Sequence, residues 1–263
     1  MLDVSVVIPH TIGAESIEEG IAMAANAGAD GVEIYDLEDH DPGALREVAA
    51  DHGIDFAATL AHGETPGIDN VSPSIANPDS VDQSIEDLER SIETAAELGA
   101  AGLVVTVGQR QDRLATHQQY AAVVEVLRAT AQKAAANGVT LLPEMLNRRV
   151  DHPGYLLDRS GDGYRVVTAV QSPAVRVLFD IYHQQITEGN IIQNLRENLD
   201  HIGHVHVADV PGRGEPGSGE LDYQAIFAAL ADLEFSGYVG LEFSAEEDRF
   251  EAVREAIELA KSV

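Results

Sequence analysis

The sequence predicts a single (β/α)8 barrel over residues 1–263. Apolar runs of strand length alternate with amphipathic stretches of 3.6-residue period along the whole chain, the signature of repeated βα units. Eight such units fill the sequence with nothing left over, which suits a barrel of about 250 residues better than an open doubly wound sheet. Acidic or histidine side chains also recur at the ends of the last four runs, where a parallel barrel presents its functional groups.

The strand-like runs are VSVVIP (4–9), GVEIYD (31–36), DFAATLAH (55–62), GLVVTVG (102–108), TLLPEML (140–146), RVLFDIY (176–182), HVHVAD (204–209) and YVGLEF (238–243). Between them lie helical stretches such as SIEEGIAMAANAG and SVDQSIEDLERSIETAAELG. Gly28, Gly53, Gly99 and Gly138 close helices, because a helix commonly stops on a left-handed residue and glycine meets no Cβ clash there. Ser16 and Asp41 read as N-caps, with Pro42 at the first helical position after Asp41. The strand-to-helix loops after the third, fourth, fifth and seventh runs are the longest. In a barrel they gather above the strand carboxyl ends and form a pocket.

Composition narrows the function classes. Hydrophobic residues make up 44% of the chain, enough for a large core, and cysteine is absent. That removes disulfides, thiol nucleophiles and zinc–thiolate sites. No run approaches the roughly 20 apolar residues of a membrane span. The N-terminal MLDVSVVIPH lacks the basic region of a secretory signal, so a cytoplasmic location is expected. Forty-five acidic residues face 16 basic ones, for a net charge of −29, and the pI is about 4.4. Such a surface repels phosphate backbones and argues against nucleic-acid binding. The acids are spread through helical segments rather than blocked at one end, which fits a high-salt cytoplasm. At molar salt the Debye length is about 3 Å, and self-repulsion is screened. IPHTIGAES after the first strand lacks the dinucleotide glycine fingerprint, and no P-loop occurs.

Glu144, Asp180, His206 and Glu242 stand at the ends of the last four runs, separated by 36, 26 and 36 residues. Each interval is close to one strand plus one helix. Strand alternation puts Leu142 with Glu144, Leu178 with Asp180, and His204 with His206 on shared faces, so all four can point inward in the top layer. Three carboxylates and one imidazole make a hard site suited to Mn²⁺ or Mg²⁺, with Co²⁺ admitted and Zn²⁺ less favoured. For any one of them the alternative is a polar strand end meeting solvent. His62 ends the third strand and lines the expected pocket. Arg213 is placed to pair bidentately with a substrate carboxylate, or else with Glu215 or Glu220; Arg148 and Arg149 are further candidates for the anion. His204, one layer lower, reads as a hydrogen-bonded core residue. Glu33 and His10 point to the barrel mouth or interior. Glu188, Asp209 and Glu220 read as loop acids.

The blocks LLPEMLNRR–HPGYLL, LFDIYHQQITEGN, IGHVHVADVPGRGEPGSGELDY and GYVGLEF resemble the hydroxypyruvate isomerase family of the xylose isomerase-like TIM barrels. The likeness runs from the first strand to the eighth. It implies one divalent metal held by Glu144, Asp180, His206 and Glu242. It also implies that Glu144 and Glu242 flank the reacting carbon–carbon bond as acid and base, and that His183 contacts the substrate's carbonyl oxygen. Two blocks depart from the family's pattern. Hydroxypyruvate isomerases usually carry glutamine where His206 stands, and histidine there is the pattern of the ketose epimerases. PEMLNRRVDHPGY is also longer than the usual fifth-strand block and offers two arginines.

Proton transfer between adjacent carbons needs a stabilised enediolate and two groups able to exchange acid and base roles. The expected activity is therefore a metal-dependent aldose–ketose isomerisation, most directly of hydroxypyruvate to tartronate semialdehyde. A ketose 3-epimerase or other sugar isomerase of the same superfamily is the alternative. An endonuclease IV-type hydrolase needs more metal-binding histidines and a basic face, and the charge argues against it. An inactive barrel is disfavoured because three buried, unpaired carboxylates without a cation are costly. The small-molecule enzyme is expected to assemble as a homo-oligomer.

Overall fold

The computed structural model describes residues 1–263 apart from Glu38, Asp39 and Glu246. The barrel strands are β1 (Asp3–Ile8), β2 (Gly31–Ile34), β3 (Asp55–Leu60), β4 (Gly102–Val105), β5 (Thr140–Pro143), β6 (Val177–Asp180), β7 (Ile202–Val207) and β8 (Tyr238–Leu241). They pair in parallel in the order β5-β4-β3-β2-β1-β8-β7-β6. Isolated parallel bridges, Leu141 to Val175 and Glu144 to Leu178, join the β5 and β6 ends and complete the ring. The helices are α1 (Ile17–Ala27), α2 (Pro42–His52), α3 (Val81–Leu98), α4 (Thr116–Ala136), α5 (Ser160–Val170), α6 (Ile181–Thr187), α7 (Ile191–Asn198), α8 (Tyr223–Asp232) and α9 (Arg249–Lys261).

Local chemistry sets the element ends. Ser16 caps α1 by accepting from the Glu19 amide, and Asp41 caps α2 by accepting from the Ala44 amide. Gly28, Gly53 and Gly99 take left-handed C-cap conformations, as the helix-stop reading requires. Most strands stop earlier than the apolar runs. Thus β3 ends at Leu60 and β4 at Val105, because the following residues leave the ladder and turn into loops. The sixth unit holds two short helices rather than one. Asp180 closes β6 and also caps α6, its Oδ1 accepting from the His183 amide at 2.9 Å.

The alternation predicted for the strands is present. Ala58, Val104, Leu142 and Leu178 form a small cluster inside the barrel. The outward side chains, among them Val6, Val32, Leu103, Leu141, Phe179, Val205 and Val239, pack against Ile21, Leu88, Ile92, Leu127 and Phe227 of the helices. Each fully buried aliphatic or aromatic side chain contributes roughly 1.5–3 kcal/mol relative to exposure, so the helix layer holds the ring shut. Among the described residues no helix is long and apolar enough to cross a membrane.

Candidate metal centre

Directly above the inner aliphatic cluster, four elements bring Glu144, Asp180, His206 and Glu242 together. Glu144 lies one residue past β5, Asp180 ends β6, His206 sits within β7, and Glu242 lies one residue past β8. One ligand atom from each falls within 4.8 Å of the others. Glu144, Asp180 and His206 are buried, while the Glu242 side chain keeps 20% of its surface exposed.

The ring of His206 has two distinct sides. Its Nε2 hydrogen-bonds Glu33 Oε2 at 3.1 Å, with the Tyr35 hydroxyl also at 3.1 Å. Its Nδ1 faces the quartet, 3.3 Å from Glu242 Oε2 and 3.9 Å from Glu144 Oε1. That nitrogen is buried and, among the described residues, has no hydrogen-bond partner. An unpartnered imidazole nitrogen within reach of three carboxylates is the donor set a divalent cation takes, backed by a carboxylate on the opposite ring nitrogen. The residues fit the metal that the sequence implies.

The side chains set one another's charge. Burial, together with the carboxylates of Glu242 and Asp180, pushes Glu144 above the ordinary carboxyl range, against the pull of His206. Burial opposes ionisation of Glu242 too, but Arg213 and His206 outweigh it and hold that carboxyl low. The imidazole of His206 is raised well above its usual range, because Glu33 and Glu242 overcome the effect of burial. A cation would relieve the crowding of like charge at Glu144, Asp180 and Glu242.

Two of the three expected substrate contacts border the quartet. His183 is fully buried. Its Nδ1 accepts from the backbone amide of Asn147 at 3.2 Å and lies 2.7 Å from Asn147 Nδ2, which places the proton on Nε2. That Nε2 has no hydrogen-bond partner among the described residues and lies 3.7 Å from Asp180 Oδ2. Burial lowers the ring's basicity, so His183 is a neutral donor aimed at the site. Arg213 Nη2 lies 2.5 Å from Glu242 Oε2 and 3.8 Å from Asp180 Oδ2, with its guanidinium over the Tyr182 ring. Neither Glu215 nor Glu220 is its partner, contrary to the alternative offered by the sequence. His62 is exposed and bonds Thr94 on α3 at 3.1 Å. It lines the outer wall of a 760 Å³ cavity that reaches Tyr35, so it stands at the mouth rather than with the quartet.

Other candidates have structural duties. Arg148 is bound to the Tyr155 and Leu156 carbonyls and to Asp158, which removes it as an anion receptor, and Arg149 is exposed. Glu188 is held by Ser160 and Asn194. His10 pairs with Ser244 at 3.0 Å. His204 is hydrogen-bonded in the core, to Glu33 Oε1 at 3.0 Å, as expected.

Sequence reasoning missed the role of Asp209. Its carboxylate accepts from the amides of Val210, Gly217, Gly219 and Leu221, and so folds the long β7–α8 loop that carries Arg213. An acid opening a glycine-rich loop was the available signal. Asn147, which sets the His183 tautomer, had no comparable signal.

Fold and site together define a parallel barrel with four side chains at its strand carboxyl ends that could hold a cation. The model of one family, the xylose isomerase-like TIM barrel, matches residues 21–263, and the chain belongs to that family. It is 38% identical over 160 residues to a 2-oxo-tetronate isomerase from Cupriavidus necator, covering 59% of each chain. It is 29% identical over 221 residues to the hydroxypyruvate isomerase of Escherichia coli, covering 84% of each. Among solved structures, the 3-keto-D-glucoside 4-epimerase of E. coli superposes with a TM-score of 0.80 at 26% identity, covering both chains fully. Against several of the relatives it matches, the chain spans only 59–62% of their length.

Proposed function

We propose that the protein is a divalent-metal-dependent isomerase that interconverts hydroxypyruvate and tartronate semialdehyde. The observation that carries this reading is the guanidinium of Arg213 standing beside a four-ligand cation site. A small 2-oxo acid presents two adjacent oxygens and a carboxylate, the groups such a pair would recognise. The two isomerase relatives, one named for hydroxypyruvate and one for 2-oxo-tetronate, support an acid substrate.

Mn²⁺ or Mg²⁺, with Co²⁺ or Zn²⁺ as substitutes, would be held by Glu144, Asp180, His206 Nδ1 and Glu242. Bound there, the cation would acidify the substrate's carbon–hydrogen bond and stabilise the enediolate. Arg213 would leave Glu242 to pair with the substrate carboxylate and fix its direction. His183 would donate its Nε2 proton in a hydrogen bond to the carbonyl oxygen. One of Glu144 and Glu242 takes a proton from the hydroxymethyl carbon and a proton is returned to the neighbouring carbon, while the hydroxyl proton passes from the first carbon's oxygen to the carbonyl oxygen, so the pair alternate as base and acid. His62 would touch only substrate groups reaching the mouth.

A second reading is a ketose 3-epimerase or related sugar isomerase. His206 favours it, since the hydroxypyruvate isomerases usually carry glutamine there, and so does the 4-epimerase likeness. Turnover of hydroxypyruvate against free ketohexoses, with Mn²⁺ or Mg²⁺ in molar KCl, separates the two. Activity on neither, with metal bound, overturns both. We also propose that the chain acts as one barrel domain, assembles as a homo-oligomer, and works in a high-salt cytoplasm.

A further inference from the structure

Glu33 is a fully buried carboxylate that the proposed reaction does not use. It sits inside the barrel on β2, and four donors from two strands, β1 and β7, and from the end of β2 converge on it. Its Oε1 accepts from the Ser5 hydroxyl at 2.7 Å and meets His204 Nε2 at 3.0 Å. Its Oε2 accepts from the Tyr35 hydroxyl at 3.2 Å and meets His206 Nε2 at 3.1 Å. A carboxylate with four such neighbours has all its acceptor positions filled. Space for it is provided by Gly240, where an added Cβ would lie 2.2 Å from Glu33 Oε1.

The consequence falls on His206. Next to an acceptor-only group, Nε2 must carry a ring proton, so in the neutral ring that would ligate a cation Nδ1 is the free nitrogen. Nδ1 is also the buried, unpartnered atom that faces Glu144 and Glu242. We infer that Glu33 is a positioning residue for the cation site: it fixes the tautomer and orientation of His206, with Ser5, Tyr35 and His204 holding Glu33 itself in place. A glutamine ligand at 206 would present its amide oxygen without a tautomer to set, so Glu33 and His206 work as a pair. This inference rests on the reading of the quartet as a metal centre.

A double-mutant cycle on the full chain, with Mn²⁺ binding read by calorimetry rather than by activity, tests it. Glu33→Gln keeps the size but puts an amide N–H₂ against donors. In the native background it is expected to weaken Mn²⁺ binding about 10- to 100-fold, the usual loss when the group behind a ligating histidine is removed. In a His206→Gln background the same change should alter Mn²⁺ affinity by no more than about a factor of two. Equal losses in both backgrounds, or no loss in either, overturn the inference and leave Glu33 as core polarity alone. If the native chain binds no Mn²⁺ at all, the metal reading and this inference fall together. Should Glu33→Gln not fold, Tyr35→Phe carries the same cycle, with a smaller loss expected and again only where His206 is present.

Discussion

Arg213 and Glu242 form an ion pair at the mouth of the quartet, with Nη2 2.5 Å from Oε2, although they lie on different loops 29 residues apart. The pair links the proposed anion receptor to a proposed metal ligand and acid–base group. Replacing Arg213 with Gln or Lys should lower kcat/KM for hydroxypyruvate roughly 10- to 100-fold, the worth of a lost charged hydrogen bond. Lysine should rescue little, because it lacks the planar fork. A neutral ketose should be affected far less. Equal losses on both substrates would remove the carboxylate-pairing role.

Glu144→Gln and Glu242→Gln should each reduce turnover by about 10²- to 10⁴-fold, the range for a lost general acid or base. Steady-state rates at saturating Mn²⁺ check this. Full activity in either variant rules out the two-glutamate mechanism.

Asp87 ties down the loop after β3, accepting from the Thr65 amide and hydroxyl and from Gln83 and pairing with Arg90. Burial works against its charge, but these hydrogen bonds and the Arg90 cation hold its carboxyl below the usual 3.8. A depressed carboxyl contributes stability that is present above 3.8 and lost as pH falls through the lower folded value. Asp87→Asn should therefore be less stable than the native chain at neutral pH, by about 1–3 kcal/mol. The gap should close below pH 3.8. Denaturant melts in molar KCl at pH 7 and pH 3 measure it, and a gap independent of pH contradicts the assignment.

Removing the Asp209 carboxylate frees the four loop amides it binds. The loop is largely exposed and its amides can turn to water, so Asp209→Ala should destabilise by only about 2–3 kcal/mol. Its effect on activity should be much larger, because Arg213 loses its mounting. Limited proteolysis should move to residues 210–221; an unchanged cleavage pattern would show that the loop is held by other contacts.

With a net charge of −29, self-repulsion should weaken the fold in dilute buffer. The melting temperature should rise steadily from dilute buffer to molar KCl, as screening shortens the reach of each charge to about 3 Å. A flat or falling melting curve would refute adaptation to high salt.

The barrel was legible because both signals it needs are local. Alternation within a strand put Leu142 beneath Glu144 and Leu178 beneath Asp180, and the inner cluster of Ala58, Val104, Leu142 and Leu178 occupies that lower layer. The strand ends were less legible: the runs DFAATLAH and GLVVTVG continue past their strands, through buried Ala61 to exposed His62 and through buried Thr106, Val107 and Gly108, outside the ladder. Arg148 shows a different limit. Its charge and position suggested an anion receptor, but its fate depended on which carbonyls the folded loop offered it.

Periodicity, glycine stops and the intervals between Glu144, Asp180, His206 and Glu242 were enough to specify a barrel and the four side chains at its mouth, because covalent spacing alone sets strand alternation and helix length. The partners of those side chains were a tertiary matter. Glu33 reaches His204 and His206 across 171 and 173 residues, and Arg213 reaches Glu242 instead of its neighbours Glu215 and Glu220. Which donor meets which acceptor depends on ring closure and loop path, and no local pattern encodes that. It is these pairings that turn His206 Nδ1 toward the carboxylates and leave His183 Nε2 beside Asp180 with no hydrogen-bond partner among the described residues.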